Sequence, residues 1–327
     1  MTIDADAVQA AASRIAPYVR RTPLDPAPTL SERHRLRVAL KCEHLQRTGS
    51  FKLRGAANAL LTLDPAQRER GIVTASTGNH GIAVATMARR LGVPCTVFVP
   101  ADASATKLAA IRRLGATIEP TRDADEAEAR ARRDGGEEGR PYVSPYNDPA
   151  VVAGQGTVAV ELLDQLDEAE LDGLDAVVVA VGGGGLVSGV ATYLKARLPG
   201  IAVVGASPAN DAAMAASVTA GRIVGVPAAP TLSDGTAGGI EHDAITFPLC
   251  QALVDRWLLV EEREIASAIR DVLADQHQLI EGAAGVAVAA LRQLAPAMPG
   301  ARVAVVSCGA NIAPQVLSDV LAAHHRS

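Results

Sequence analysis

Aromatic residues are almost missing from this chain of 327 residues: one Trp, four Tyr and three Phe make up 2%. Readers of single-stranded nucleic acid stack bases on such rings. A formal net charge of -5 also withholds the basic surface that a polyanion requires. Cysteine is scarce as well. Cys42, Cys95, Cys250 and Cys308 show no C-x-x-C spacing, so neither a zinc cage nor a disulfide framework is supported, and a reducing cytoplasm fits. No hydrophobic run reaches bilayer length; the stretch 176–181 is bounded by an aspartate and glycines. The opening Thr2-Ile3-Asp4-Ala5-Asp6 lacks the basic start and apolar core of a secretion signal. What is left is a protein of the cytoplasm that handles small molecules, with neither nucleic acid nor membrane as partner.

Lysine is the informative shortage. Against 27 arginines stand only Lys41, Lys52, Lys107 and Lys195. Arginine stays charged and cannot form an imine, whereas a lysine whose ammonium is partly desolvated can attack a carbonyl. Lys52 sits in Gly49-Ser50-Phe51-Lys52-Leu53-Arg54-Gly55, a tight apolar turn between two glycines. That context asks for a chemical role.

The length allows two compact units or one large α/β body. From Gly71 onward, short β-branched runs alternate with alanine-rich helical stretches, the pattern of βαβ units on a parallel sheet. Strands are expected at 72–75, 95–99, 116–119, 176–181, 203–206 and 303–306, and helices at 79–91, 105–114, 151–166 and 186–198. Gly92 and Gly115 act as stop signals for two of these helices. The charged stretch 122–139 reads as a solvated helix and a loop, and three prolines follow within 141–149. A small domain over 71–147 and a larger, discontinuous one over 1–70 and 148–327 are therefore expected.

Three segments at expected strand ends carry chemistry. Gly182, Gly183, Gly184 and Gly185 stand between a strand and a helix, where free amides and the positive helix end make an anion site. A tight turn demanding positive φ uses the same residues. A Walker loop is excluded, because Gly185-Leu186-Val187 replaces Gly-Lys-Ser/Thr. A dinucleotide fingerprint fails too: Val187 and Ser188 occupy the i+5 positions, and Ala206-Ser207 stands where an acid should hold the ribose. Ser76-Thr77-Gly78-Asn79-His80-Gly81 offers hydroxyls, a carboxamide and amides at a helix start, suited to a carboxylate or to plain helix capping. His80 alone reads as a packed residue rather than a base. Ser307-Cys308-Gly309-Ala310-Asn311 ends the last strand, where an open sheet presents its ligand crevice, although Cys308 also suits a small buried hydrophobe.

In order and spacing these motifs, with Ala153-Gly154-Gln155-Gly156-Thr157 and Ile280-Glu281-Gly282, resemble the fold-type II pyridoxal-phosphate enzymes over nearly the whole chain. The likeness is to the threonine and serine dehydratase and serine racemase group. It implies an α/β fold of the tryptophan synthase β type, with two open parallel-sheet domains and the cofactor in the cleft between them. It implies that Lys52 forms the Schiff base with pyridoxal 5'-phosphate and then removes the α-proton. Phe51 would pack beside the cofactor ring, Asn79 would bond the ring hydroxyl, and Gly182, Gly183, Gly184 and Gly185 would hold the phosphate. The substrate carboxylate would lie on Ser76, Thr77, Gly78, Asn79 and His80. Cys308 falls where the family keeps a neutral partner for the pyridine nitrogen, with Ser307 as the fallback. Glu281 matches a carboxylate near the ring, or else is an acid at a helix N-terminus. The implied activity is β-elimination from L-threonine or L-serine to a 2-oxo acid and ammonia, by a homodimer.

Departures from the family pattern qualify this. Thr77 stands where racemases carry serine and many dehydratases alanine, so racemisation is the alternative activity, and its methyl ranks elimination first. Another 3-hydroxy amino acid, such as a hydroxyectoine-pathway intermediate, is the alternative substrate. Where some members hold a divalent metal, only Asp211 offers a carboxylate, so no metal is expected.

Overall fold

The computed structural model describes residues 2–137 and 139–323, and among these, nine strands form two sheets. The larger sheet runs in the order β1 (Leu24–Pro26), β2 (Arg37–Lys41), β9 (Arg302–Val306), β6 (Ala176–Ala180), β7 (Ala202–Pro208), β8 (Arg256–Val260). Only β1 is antiparallel to its neighbour. The smaller sheet is β3 (Ile72–Ala75), β4 (Cys95–Pro100) and β5 (Thr117–Thr121), all parallel. The sequence of β6, Ala-Val-Val-Val-Ala, shows why: every residue is buried, as in a parallel strand covered by helices on both faces.

The six expected strands appear within two residues of their expected bounds, and helix Asn79–Leu91 begins and ends as expected, stopping at Gly92 with φ of 67°. In the charged stretch 122–139, expected as a helix and a loop, the helix Ala124–Glu137 takes in Gly135 and Gly136, and Glu138 lies outside the described residues. Among the described residues no helix is long and apolar enough to cross a membrane.

Two features of packing position the site. Helix Lys52–Thr62 gives Leu53, Ala56, Ala57 and Leu60 to the core beneath the smaller sheet, together with Val84, Ala88 and Val97. Another side of the same helix lies on helix Pro149–Leu163, so close that a Cβ on Gly154 would fall 2.7 Å from the Cα of Gly55. The helix that begins at Lys52 is thus wedged from two sides. The second feature is direction: the segments after β3, β6 and β9 all leave the carboxyl ends of parallel strands, where open α/β sheets bind ligands.

Candidate active site

The turn carrying Lys52 is zipped onto the end of β9. Ser307 N donates to Lys41 O at 3.0 Å, His44 N to Ser307 O at 2.9 Å, Phe51 N to Cys308 O at 3.0 Å, and Ala310 N to Gly49 O at 2.8 Å. This register places Cys308 on the wall of a cleft with Phe51 and Lys52, and leaves Ser307 off it. Asn79, Gly182, Gly183, Gly184, Gly185 and Glu281, also singled out in the sequence, line the cleft too. Tyr146, Gly235 and Thr236 also line it and were missed. They lie in irregular loops without periodicity, and the one available signal was an aromatic residue among the prolines of 141–149.

Lys52 is half-buried, its Nζ 3.0 Å from Pro145 O and 5.3 Å from the centroid of the Phe51 ring. Burial lowers its pKa to about 8, against the opposing influence of Glu281. A substantial neutral fraction is therefore present near physiological pH. The Cys308 thiol is pushed well above its ordinary pKa, first by burial and then by Glu281, so it stays protonated.

The glycine segment forms a cradle at the start of helix Gly185–Arg197. Gly184 has φ of 85°, a left-handed conformation, and a Cβ on Gly183 would fall 2.3 Å from Cδ1 of Tyr146. Thr246 Oγ1 donates to Gly183 O at 2.7 Å, which fixes the carbonyl side of the turn. Among the described residues no acceptor meets the amides of Gly183 and Gly184. Free amides at a positive helix end suit a phosphate.

Glu281 immediately precedes helix Gly282–Ala289 but does not cap it with its side chain. Its carboxylate turns to the cleft instead, accepting from Asn79 Nδ2 and from Asn311 N, each at 2.8 Å. Of the two roles open in the sequence, the geometry is that of a cleft carboxylate. Burial raises its pKa to about 7 despite those two hydrogen bonds. The unfolded chain releases this proton near 4.5, so stability present at low pH is lost as pH rises to 7. At roughly 1.4 kcal/mol per unit the loss is about 3 kcal/mol. Cofactor-free Glu281→Gln is expected to lack this component. Urea denaturation at pH 5 and pH 7.5 checks it, and an unchanged pH difference would refute the assignment.

The loop 76–80 is only partly on the cleft. Asn79 lines it, whereas Ser76, Thr77 and Gly78 form the turn that leads into Asn79, with Ser76 Oγ accepting from Gly78 N at 3.1 Å. The His80 imidazole is buried away from the wall, with Nε2 2.9 Å from Val143 O. Burial first, and then the Lys52 charge, lower its pKa to about 3, so it is neutral and braces the loop. Asp211 accepts from Gly238 N at 2.8 Å and thereby ties down the loop that carries Gly235 and Thr236.

Pyridoxal phosphate carries a phosphate, an aldehyde, a ring hydroxyl and a ring nitrogen. The residues fit this group: side-chain-free amides for an anion, a desolvated amine, a carboxamide and a neutral thiol share one cleft. The pyridoxal-phosphate dependent enzyme family matches residues 15–309. An L-threonine ammonia-lyase of Geobacter sulfurreducens is 39% identical over 317 residues, 96% of this chain and 77% of its own. A beta-hydroxyaspartate dehydratase of Paracoccus denitrificans is 36% identical over 307 residues, 93% of this chain and 94% of that one. The solved structure of maize serine racemase matches with a TM-score of 0.90 at 31% identity, covering 99% of this chain and 98% of that one. A match that runs through both sheets and all the loops between them makes this chain a pyridoxal-phosphate-dependent enzyme of fold type II.

Proposed function

We propose that the chain is an ammonia-lyase that converts L-threonine or L-serine into a 2-oxo acid and ammonia. The observation that carries this reading is the setting of Lys52, an amine brought to a pKa of about 8 in the same cleft as the glycine amides. Bound pyridoxal phosphate supplies an electron-accepting ring for charge that develops at Cα. Lys52 Nζ takes the α-proton, a task for which an amine titrating near neutrality is suited. The amides of Gly183 and Gly184 would hold the phosphate of the bound cofactor and so position it relative to Nζ. Cys308, kept as a thiol on the cleft wall, would give the ring nitrogen a neutral partner that does not readily donate a proton, an arrangement suited to elimination. The substrate carboxylate takes the turn at 76–79, at the positive end of helix Asn79–Leu91.

Charge narrows the substrate. Among the described residues, Lys52 is the only cationic side chain on the cleft wall, and Glu281 is the only carboxylate there. A second substrate carboxylate, as in hydroxyaspartate, would find no further cation, so a small neutral side chain fits best. The test is proton NMR of L-threonine and L-serine with cofactor-loaded enzyme in heavy water. Oxo acid formed with loss of the α-proton supports the lyase, and no change in either signal overturns it.

Racemisation is the second reading; it rests on Thr77, which stands where the family's racemases carry serine and precedes Gly78 in the turn that leads into Asn79. Thr77→Ala is expected to cut any D-isomer formation by about a hundredfold or more while changing oxo-acid formation less than about tenfold, the scale of a lost general acid. Chiral chromatography of the reaction decides, and an unchanged D-isomer rate removes Thr77 from the mechanism. The four free cysteines are all buried, which suits the cytoplasm as the working compartment. The homodimer rests on the family resemblance, and light scattering of the purified protein tests it.

A further inference from the structure

We propose that Asn311 is a positioning residue that sets which end of the Asn79 carboxamide faces the cofactor; this rests on the reading of Asn79 as the partner of the cofactor's ring hydroxyl. A carboxamide has nearly the same shape either way round, so its neighbours decide its polarity. Here an acceptor-only group decides it. Asn311 Nδ2 donates to Thr48 O at 2.9 Å, and a backbone carbonyl can only accept. The same Nδ2 donates to Asn79 Oδ1 at 2.6 Å. Asn79 Nδ2 is thereby turned the other way and donates to Glu281 Oε1 at 2.8 Å. The Asn311 backbone closes the circuit by donating to Glu281 Oε2 at 2.8 Å.

Held in this way, Asn79 has its oxygen engaged and one Nδ2 hydrogen still to give. Asn79 lines the cleft and Asn311 does not, so that hydrogen is what the pair can offer to an oxygen on the cofactor. The reversed carboxamide would present its own oxygen and repel an ionised ring oxygen. The backbone makes room for this arrangement. Gly49 has φ of 73°, and a Cβ there would fall 2.7 Å from Asn311 Oδ1, while Ala310 N is pinned to Gly49 O at 2.8 Å.

Two replacements of nearly opposite character separate positioning from packing. Asn311→Asp keeps the shape but swaps the donor for an acceptor, so Asn79 must turn its Nδ2 away from the cofactor to meet it. Asn311→Ala only removes the restraint. The readouts are the dissociation constant of pyridoxal phosphate and the visible absorption band of the bound cofactor, in both variants and in the Asn79→Ala background. Asn311→Asp is expected to weaken cofactor binding about tenfold or more and shift the band, and Asn311→Ala to weaken binding about threefold. A residue that merely packs gives the reverse order, which would overturn the proposal. In the Asn79→Ala background the Asp effect is expected to fall to less than about twofold; if it persists, the added charge acts directly and the proposal fails. An Asn79→Ala enzyme whose band and affinity match the parent's would overturn the reading of Asn79 itself, and the proposal with it.

Discussion

Lys52→Ala is expected to lower oxo-acid formation from L-threonine and L-serine by more than about a thousandfold, because it removes both a nucleophile and a general base in one step. The fold should survive. Among the described residues Lys52 makes no ion pair and donates to one carbonyl, Pro145 O at 3.0 Å, so its loss leaves no buried partner charge behind. Lys52→Arg discriminates chemistry from charge. A guanidinium keeps the positive charge in the cleft but does not release its proton, so it should be as inactive as alanine. In the parent protein, with burial bringing the amine to about 8, the rate of pyridoxal phosphate capture by cofactor-free enzyme should climb with pH and level off above 8. Stopped-flow absorbance measures this capture. Retained turnover in Lys52→Ala, or a capture rate still climbing steeply at pH 10, would show that another group does the work.

Much of this site could be read from the chain because its parts are local. A buried run such as Ala176-Val177-Val178-Val179-Ala180, followed by glycines, announces strand, turn and helix without tertiary information. The same holds for Asn79–Leu91, whose glycine stop is visible in the sequence. What could not be read depends on long-range partners. β2 ends in Lys41, a fully buried charge satisfied by Glu161, a residue 120 positions away, and nothing in its own neighbourhood marks it as interior. β8 combines Arg256 and Trp257 on an edge strand with only Val260 buried, so its pattern is not that of a core strand. Glu281 had two roles because either places an acid before Gly282; the choice is made by Asn79, 202 residues earlier in the chain. Ser307 and Cys308 are neighbours in sequence, and only the register against Phe51 decides which faces the cleft.

Arg54→Met is expected to destabilise the protein by about 3–5 kcal/mol, the cost of leaving a buried charge without its partner. Arg54 is 1% exposed and Glu43 is fully buried. Its guanidinium meets Glu43 through Nε at 2.7 Å and Nη2 at 2.8 Å, and Glu161 through Nη1 at 2.8 Å and Nη2 at 2.7 Å. Lys41 adds a second cation, donating to Glu161 Oε2 at 2.8 Å, to Thr22 O at 2.6 Å and to Gln165 Oε1 at 2.9 Å. Two cations and two carboxylates balance, so removing Arg54 leaves an unpaired negative charge at Glu43, buried away from water. Pairing Arg54→Met with Glu43→Gln restores neutrality and should recover part of the loss. Urea denaturation of the four proteins in the cycle gives the coupling, and a single-variant loss below about 1 kcal/mol would refute the cost assigned to this cluster. The cluster also bears on catalysis. Arg54 follows Lys52 by two positions, roughly 200° around the helix at 3.6 residues per turn. Anchoring Arg54 in the charged cluster therefore turns Lys52 to the other side, toward the cleft. The single variant should accordingly lose affinity for pyridoxal phosphate along with stability, and the double variant should recover part of the stability but not the affinity, because the anchor is still missing.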